Sequence, residues 1–301
     1  MADHITRALL DPPRVRVVST LTTDTVAEAA QRHGLSGVAA VALGRALTSG
    51  LLLATLTKGD ERVTLHIAGD GPISLITVDA NDAGEVRGYL SPRGAVAPLL
   101  ARPRPQVGPA VGRHGQVSVL RDLGLREQYR GSAALVTGEI DEDVEAYLRV
   151  SEQIDSALGC EVVLQSPRVA CAGGVLIQAL PGGEPALIRE IQHRLRRQEL
   201  YEALAGPAPP ADAVALARLL LPDAALKVID QRPVCFRCRC SATRARSLLG
   251  LLEPAELDDM LARDGGAEVT CNFCCQRYPI DGAALKEIRD AAARRPPRER
   301  N

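Results

Sequence analysis

Arg62-Val-Thr-Leu-His-Ile-Ala-Gly69-Asp70-Gly71-Pro72 alternates polar and apolar residues and then stops on a turn-forming cluster. Period-two alternation places successive side chains on opposite faces of a half-buried strand, and Gly-Asp-Gly-Pro supplies the backbone freedom of a hairpin turn. Ile73 to Asp79 and Glu85 to Leu90 read as further strands, joined by Asn81-Asp82-Ala83-Gly84. The centre of the first half is therefore an antiparallel meander, and Gln116 to Leu120 adds a candidate strand. Gly69-Asp-Gly-Pro lacks the G-x-x-x-x-G-K pattern and sits between strands, so a turn is favoured over a phosphate loop.

Upstream, Arg14-Val-Arg-Val-Val-Ser-Thr-Leu-Thr reads as a strand, and Thr23-Asp24 are good N-cap residues for a helix through Val26 to Ala30. Gly34 ends that helix. Leu35 to Leu56 is apolar enough to be weighed as a membrane span, but Arg45, Thr48, Ser49 and the glycines 37, 44 and 50 interrupt it, which favours a buried helix. Downstream, Ile140 to Leu158 reads as an amphipathic helix with an acidic first turn, and Glu161 to Gln165 and Gly174 to Leu180 as strands. Pro181-Gly182-Gly183 marks a boundary. Glu184 to Leu204 then reads as one charged helix, and Gly206-Pro-Ala-Pro-Pro breaks it before another helix that ends near Leu221. The arginines 189, 194, 196 and 197, near Glu190 and Glu199, suit a solvated helix face better than a nucleic-acid patch.

These readings predict an α+β chain: an N-terminal antiparallel-sheet and helix domain over 1–182, a helical linker over 183–230, a small cysteine-rich domain over 231–293 and a solvated, disordered tail over 294–301. A formal net charge of -1, no Trp, two Phe and five Tyr argue against a nucleic-acid surface with stacking platforms. Met1-Ala2-Asp3-His4 carries no export signal, so a cytoplasmic, reducing environment is expected. His4, His33, His66, His114 and His193 are scattered, with no H-E-x-x-H, and no G-x-S-x-G elbow is present.

Six of the eight cysteines fall in Cys235-Phe-Arg-Cys238-Arg-Cys240 and Cys271-Asn-Phe-Cys274-Cys275. Paired spacing of this kind in a reducing compartment points to metal or redox chemistry. Two pairs of thiolates can complete a zinc tetrahedron with Zn–S distances of about 2.3 Å and no open position for water, so hydrolytic catalysis is not expected. The choice of four stays open on spacing alone: Cys235 with Cys238 forms a C-x-x-C, and Cys238 with Cys240 a C-x-C. An ordinary ribbon would take Cys235, Cys238, Cys271 and Cys274, yet the intervening stretch is longer than ribbon spacing and holds two helices, Ala242 to Leu249 and Pro254 to Arg263. Thiolates react with oxidants, and a small domain that depends on about 10–16 kcal/mol of zinc binding should unfold once its ligands pair as disulfides. Loss of that domain could expose the Leu-rich helices of the linker to unfolded clients.

Leu65-His-Ile-Ala-Gly69-Asp70-Gly71-Pro72, Val86-Arg87-Gly88-Tyr89, Tyr147 with Ser151-Glu152-Gln153, and Ala172-Gly173-Gly174 with Gln178-Ala-Leu-Pro181 form a set of distinctive blocks in the first half. Phe236-Arg-Cys238-Arg-Cys240-Ser241 and Cys271-Asn-Phe-Cys274 with Tyr278 extend the set through the second half. Through these blocks the chain resembles the 33-kDa heat-shock chaperonin family. The resemblance implies one zinc on Cys238, Cys240, Cys271 and Cys274, with disulfides Cys238–Cys240 and Cys271–Cys274 on oxidation. It further implies a non-enzymatic, ATP-independent holdase for unfolding proteins that acts in the stress response. A substrate-binding and dimerisation domain, a metastable linker, a homodimer when oxidised and hand-over of clients to ATP-driven foldases belong to the same expectation. Nucleic acid and membrane are not expected partners. Cys235 and Cys275 depart from the pattern as flanking thiols able to divert pairing, whereas Cys160 and Cys171 suit inert core cysteines. A zinc-ribbon nucleic-acid regulator would instead show salt-dependent DNA or RNA binding, and a thiol-disulfide oxidoreductase would turn over a dithiol substrate without zinc.

Overall fold

The computed structural model describes residues 2–57, 61–92, 104–122, 129–165, 167–222 and 224–294. The expected tail falls, past Arg294, outside the described residues. The chain divides into two compact units, Met1–Arg237 and Cys238–Asn301.

In the first unit the order is β1 (His4–Leu10), β2 (Val15–Leu21), α1 (Thr23–His33), α2 (Gly37–Ala54), β3 (Arg62–Ala68), β4 (Leu75–Asn81) and β5 (Glu85–Ser91). Then follow α3 (Gly108–Val111), β6 (Gln116–Asp122), β7 (Tyr129–Ala134), α4 (Asp141–Ser151), β8 (Ser156–Gln165) and β9 (Arg168–Ala179). The unit closes with α5 (Pro185–Arg196), α6 (Glu199–Ala205), α7 (Ala213–Leu220), β10 (Lys227–Pro233) and β11 (Cys235–Phe236). Among the described residues these strands form two sheets, ordered β10-β1-β2-β9-β8 and β11-β5-β4-β3-β6-β7. The predicted meander is β3-β4-β5, antiparallel throughout, with Val63, Leu65 and Ile67 turned inward from β3. Its turn is stitched to α3, since Gly71 N donates to Val111 O at 2.9 Å and Ile73 N to Ala110 O at 2.8 Å. A Cβ on Gly69 would collide with the Val111 carbonyl, so close backbone approach requires glycine there.

Helix α2 lies against β3, β4 and β5 of one sheet and β8 and β9 of the other. It is the helix, among the described residues, long and apolar enough to cross a membrane, and it is buried within the protein. The residues that argued against a span serve the packing. Gly44 admits Val26 and Val162, and Arg45, fully buried, ion-pairs Glu139 at 2.8 Å and Glu161 at 2.9 Å while donating to Pro105 O. Arg104 shares Glu161 with it, at 2.6 Å, and also pairs with Asp141 at 2.6 Å and lies 4.0 Å from Glu139.

Two long helices of the sequence reading are shorter than expected. Ile140 to Leu158 ends as helix at Ser151, Gln153 takes a left-handed φ of 56°, and Ala157 and Leu158 are buried in β8. Apolar spacing alone does not distinguish a helix end from the start of a buried strand. Glu184 to Leu204 breaks at Gln198, which has a left-handed φ of 66°, and the break lets both α5 and α6 turn leucines onto β8. Leu195 and Leu200 there close over Gly159, where a Cβ would come within 2.7 Å of the Leu195 side chain.

Segment 183–230 therefore covers the outer face of the first sheet. Ile188, Ile191, Leu200, Leu204, Leu216 and Leu220 share one buried cluster with Val17, Val175 and Ile177. Arg194 fastens the three helices together: its guanidinium holds Glu199 at 2.7 Å and caps the Leu219 and Leu220 carbonyls at the end of α7. The segment ends as a strand, with β10 paired antiparallel to β1. Helix α1 takes its N-terminal cap from a distant residue: Asp24 N and Thr25 N donate to the Asp3 carboxylate, while the hydroxyl of Thr22, at the cap position, pairs with Thr48 at 2.8 Å instead of capping the helix.

Candidate metal centre

The second unit contains α8 (Ala242–Leu249), α9 (Pro254–Asp264), β12 (Gly266–Thr270), β13 (Arg277–Asp281) and α10 (Gly282–Ala293). The caps follow the sequence. Ser241 accepts from Arg244 N at 3.2 Å and Asp281 from Ala284 N at 2.8 Å, while Glu253 and Glu256 form a reciprocal box at the start of α9. Its core is small, with Leu249, Leu257, Ile280 and Leu285 buried and other aliphatics packed around them. Units with so little buried apolar surface ordinarily depend on a disulfide or a metal.

The four sulfurs are brought together by two short backbone devices. Cys238 and Cys240 lie on the stretch just before Ser241, the cap of α8, so that the two sulfurs sit at the mouth of that helix. Cys271 and Cys274 form a tight knuckle between β12 and β13: Cys271 N donates to Gln276 O and Cys275 N to Cys271 O, both at 2.9 Å. Cys275 closes this knuckle in the left-handed region, with φ 59°. The sulfurs of Cys238, Cys240, Cys271 and Cys274 all lie within 4.8 Å of one another. Cys238 to Cys271 is 3.7 Å and Cys240 to Cys274 is 3.3 Å. A tetrahedral zinc with Zn–S of about 2.3 Å requires sulfur–sulfur edges of about 3.8 Å, so the donor set fits one tetrahedral ion of zinc size.

The electrostatics call for a cation. Burial raises the Cys271 thiol, and burial followed by sulfur neighbours raises Cys274, so converging thiols favour the neutral form until a positive charge stabilises the thiolates. Backbone amides already point at the pair: those of Phe273 and Cys274 at the Cys271 sulfur, and that of Gln276 at Cys274. Tyr278, on β13 opposite Val269, donates its hydroxyl to Cys240 Sγ at 3.0 Å. That bond pushes the phenol up to about 12. In the sequence this contact shows only as a tyrosine four residues past Cys274.

The structure leaves the flanking thiols out of the group. Cys235 is exposed in β11, where its amide bonds Gly84 O beside β5, and Cys275 takes the turn position. Cys160 is buried against Ser49 at 3.3 Å, and Cys171 packs near Thr23. Both thiols are pushed up by burial, as inert core cysteines are. The histidines remain dispersed. His4 receives the Ala213 amide, His66 meets Thr77 and His114 meets Asp70, and among the described residues none joins a group able to hold a metal.

Fold and site together define an α+β protein that carries a separate unit built on four convergent thiols. A family model described as Hsp33 protein matches residues 3–281. The 33 kDa chaperonin of Synechococcus sp. (strain JA-2-3B'a(2-13)) is 42% identical over 290 residues, covering 96% of this chain and 90% of that one. The 33 kDa chaperonin of Geobacillus kaustophilus is 38% identical over 295 residues, covering 97% and 99%. The crystal structure of the 33 kDa chaperonin (heat shock protein 33 homolog) from Thermotoga maritima superposes with a TM-score of 0.87 at 30% identity, covering 97% of this chain and 99% of that one. The chain belongs to the Hsp33 family, and with it to the chaperones.

Proposed function

We propose that this chain is a cytoplasmic, redox-regulated holdase whose zinc centre keeps it latent until oxidation. The observation that carries the reading is the convergence of Cys238, Cys240, Cys271 and Cys274 within 4.8 Å in a unit with a small core. Zinc, when bound, supplies the positive charge that keeps four thiolates together and stabilises the unit around them.

On this reading Cys238 pairs with Cys240, and Cys271 with Cys274, under peroxide or hypochlorite. In each pair one thiolate attacks the peroxide, forming an S–O bond as the O–O bond breaks and hydroxide leaves. The second thiolate then displaces a second hydroxide and forms the S–S bond. Two electrons pass from each pair to one peroxide, and the four thiolates that held the ion are gone. The small unit loses its anchor and unfolds.

Helices α5 to α7 supply what would be released. They bury their apolar faces on the first sheet, and the chain runs from them through β10 and β11 directly into Cys238. Fraying from the zinc unit would pass back along β11 and β10 to that layer, uncovering leucines for unfolding proteins without any nucleotide. We assign to the oxidised form homodimerisation and later delivery of clients to ATP-driven foldases. Light scattering from a thermally unfolding client tests the reading. Protein oxidised at elevated temperature should suppress aggregation and reduced protein should not; equal activity in the two states rejects the switch.

A further inference from the structure

We infer that Tyr278 is a positioning residue for the cysteine centre: its hydroxyl, donating to Cys240 Sγ at 3.0 Å, strengthens metal retention and lowers the reactivity of that sulfur toward oxidants. The inference rests on the zinc reading above and goes beyond it, since Tyr278 is not a ligand.

The geometry distinguishes this sulfur from those of the knuckle. Cys271 and Cys274 receive amides of their own loop, which come with the backbone conformation itself. The Cys240 donor comes from a side chain on a different element, held at its height by the pairing of Tyr278 with Val269 across the β12–β13 hairpin. A hydrogen bond to a thiolate stabilises its charge and draws electron density from the lone pair that an oxidant must meet. When a peroxide meets Cys240, that lone pair forms the S–O bond, the O–O bond breaks and hydroxide departs. The phenolic proton opposes this step, because the bond it makes weakens as the sulfur loses its negative charge. Donors to metal ligands typically contribute 10–100-fold in metal affinity. Tyr278 would thus set how much oxidant the centre withstands, and it does so without touching the ion.

Tyr278→Phe keeps the ring and removes the donor. The full-length reduced protein and the variant, each loaded with zinc, are treated with hydrogen peroxide in the presence of a chromophoric zinc chelator, and zinc affinity is measured separately by competition with a chelator. Arg277→Ala, on the neighbouring exposed position of the same strand, controls for loosening of the hairpin. Tyr278→Phe should bind zinc about tenfold more weakly and release it several-fold faster, with Arg277→Ala close to the parent. Parental affinity and parental release rate in Tyr278→Phe overturn the inference while leaving the zinc switch intact, as does an equal effect of Arg277→Ala. A parent that binds no zinc overturns both readings. A second measurement needs no variant: the chain has five tyrosines and no Trp, so the ultraviolet difference spectrum on zinc removal reports its phenols. A tyrosine perturbation that accompanies zinc release is expected, and its absence contradicts the proposal.

Discussion

Gln192 on α5 donates its side-chain amide to Glu145 on α4 at 3.2 Å, and the same amide reaches Ser156 O at 2.9 Å, so one residue ties α5 to both α4 and β8. Glu145 also accepts from Leu158 N and lies 3.6 Å from Arg196. Burial pushes its carboxyl up to about 7, with Leu158 N and Arg196 opposing the shift and Asp141 adding to it. If α5 leaves, Glu145 returns to water and to an ordinary carboxylate value. The docked state therefore holds a proton at slightly acid pH that the undocked state releases. Docking is favoured most below the ordinary carboxylate range, and that advantage is lost as pH rises through about 7. Resistance of α5 to limited proteolysis in the reduced protein should fall as pH rises from about 4.5 to about 7 and level off above that, and Glu145→Gln should flatten the dependence. An unchanged pH profile in the variant would assign the effect elsewhere.

The buried charges around α2 carry a stability prediction. Arg45 is inaccessible and bonds Glu139, Glu161 and Pro105 O. Arg45→Met would leave carboxylates buried without their partner, a loss of about 3–5 kcal/mol. Urea denaturation of the reduced protein measures it, and a loss below about 1 kcal/mol would mean that Arg104 alone satisfies the carboxylates.

Zinc stoichiometry separates ligands from bystanders. Cys238→Ser or Cys271→Ser should abolish stoichiometric zinc and the protease resistance of the second unit. Cys235→Ser and Cys160→Ala should retain one zinc per chain, because neither sulfur belongs to the four-thiol group. Loss of zinc in Cys235→Ser would move the centre to the alternative C-x-x-C pairing.

The layer formed by α5 to α7 can be loosened without oxidant. Leu216 is fully buried between α7 and the first sheet, and Leu216→Ala should cost about 2–5 kcal/mol of local packing. Aggregation suppression by the reduced variant, with its zinc still bound, is the expected outcome. A variant as inactive as the reduced parent would separate linker docking from client binding.

Much of this was readable because local rules and tertiary structure agree. The β3–β5 meander announces itself by alternation between turn clusters, and the helices read from Ala242 and from Pro254 start where the structure has them. The four thiols were legible as candidates because metal ligands need nearby partners in sequence. The choice between Cys235 and Cys240 was not, since C-x-x-C and C-x-C are equally good on paper and only the path out of β11 separates them. Strands β1, β7 and β10 escaped notice for a related reason. Most residues of β7 and β10 are exposed, as with Val228 and Ile229, and β1 carries polar residues among its buried ones, so pairing rather than pattern defines them. Nor could sequence foretell that Asp3 caps α1 or that Tyr278 reaches Cys240, since both contacts join residues on separate elements.

The central claim is that oxidation of the four thiols, loss of zinc and release of α5 to α7 form one event. Hydrogen–deuterium exchange of α5 to α7, followed in the same oxidised sample as zinc release and client holding, tests it most directly. The account predicts that protection of these helices falls as zinc leaves and that holding activity rises with the same time course. Zinc release and full activity with α5 to α7 still protected would contradict it.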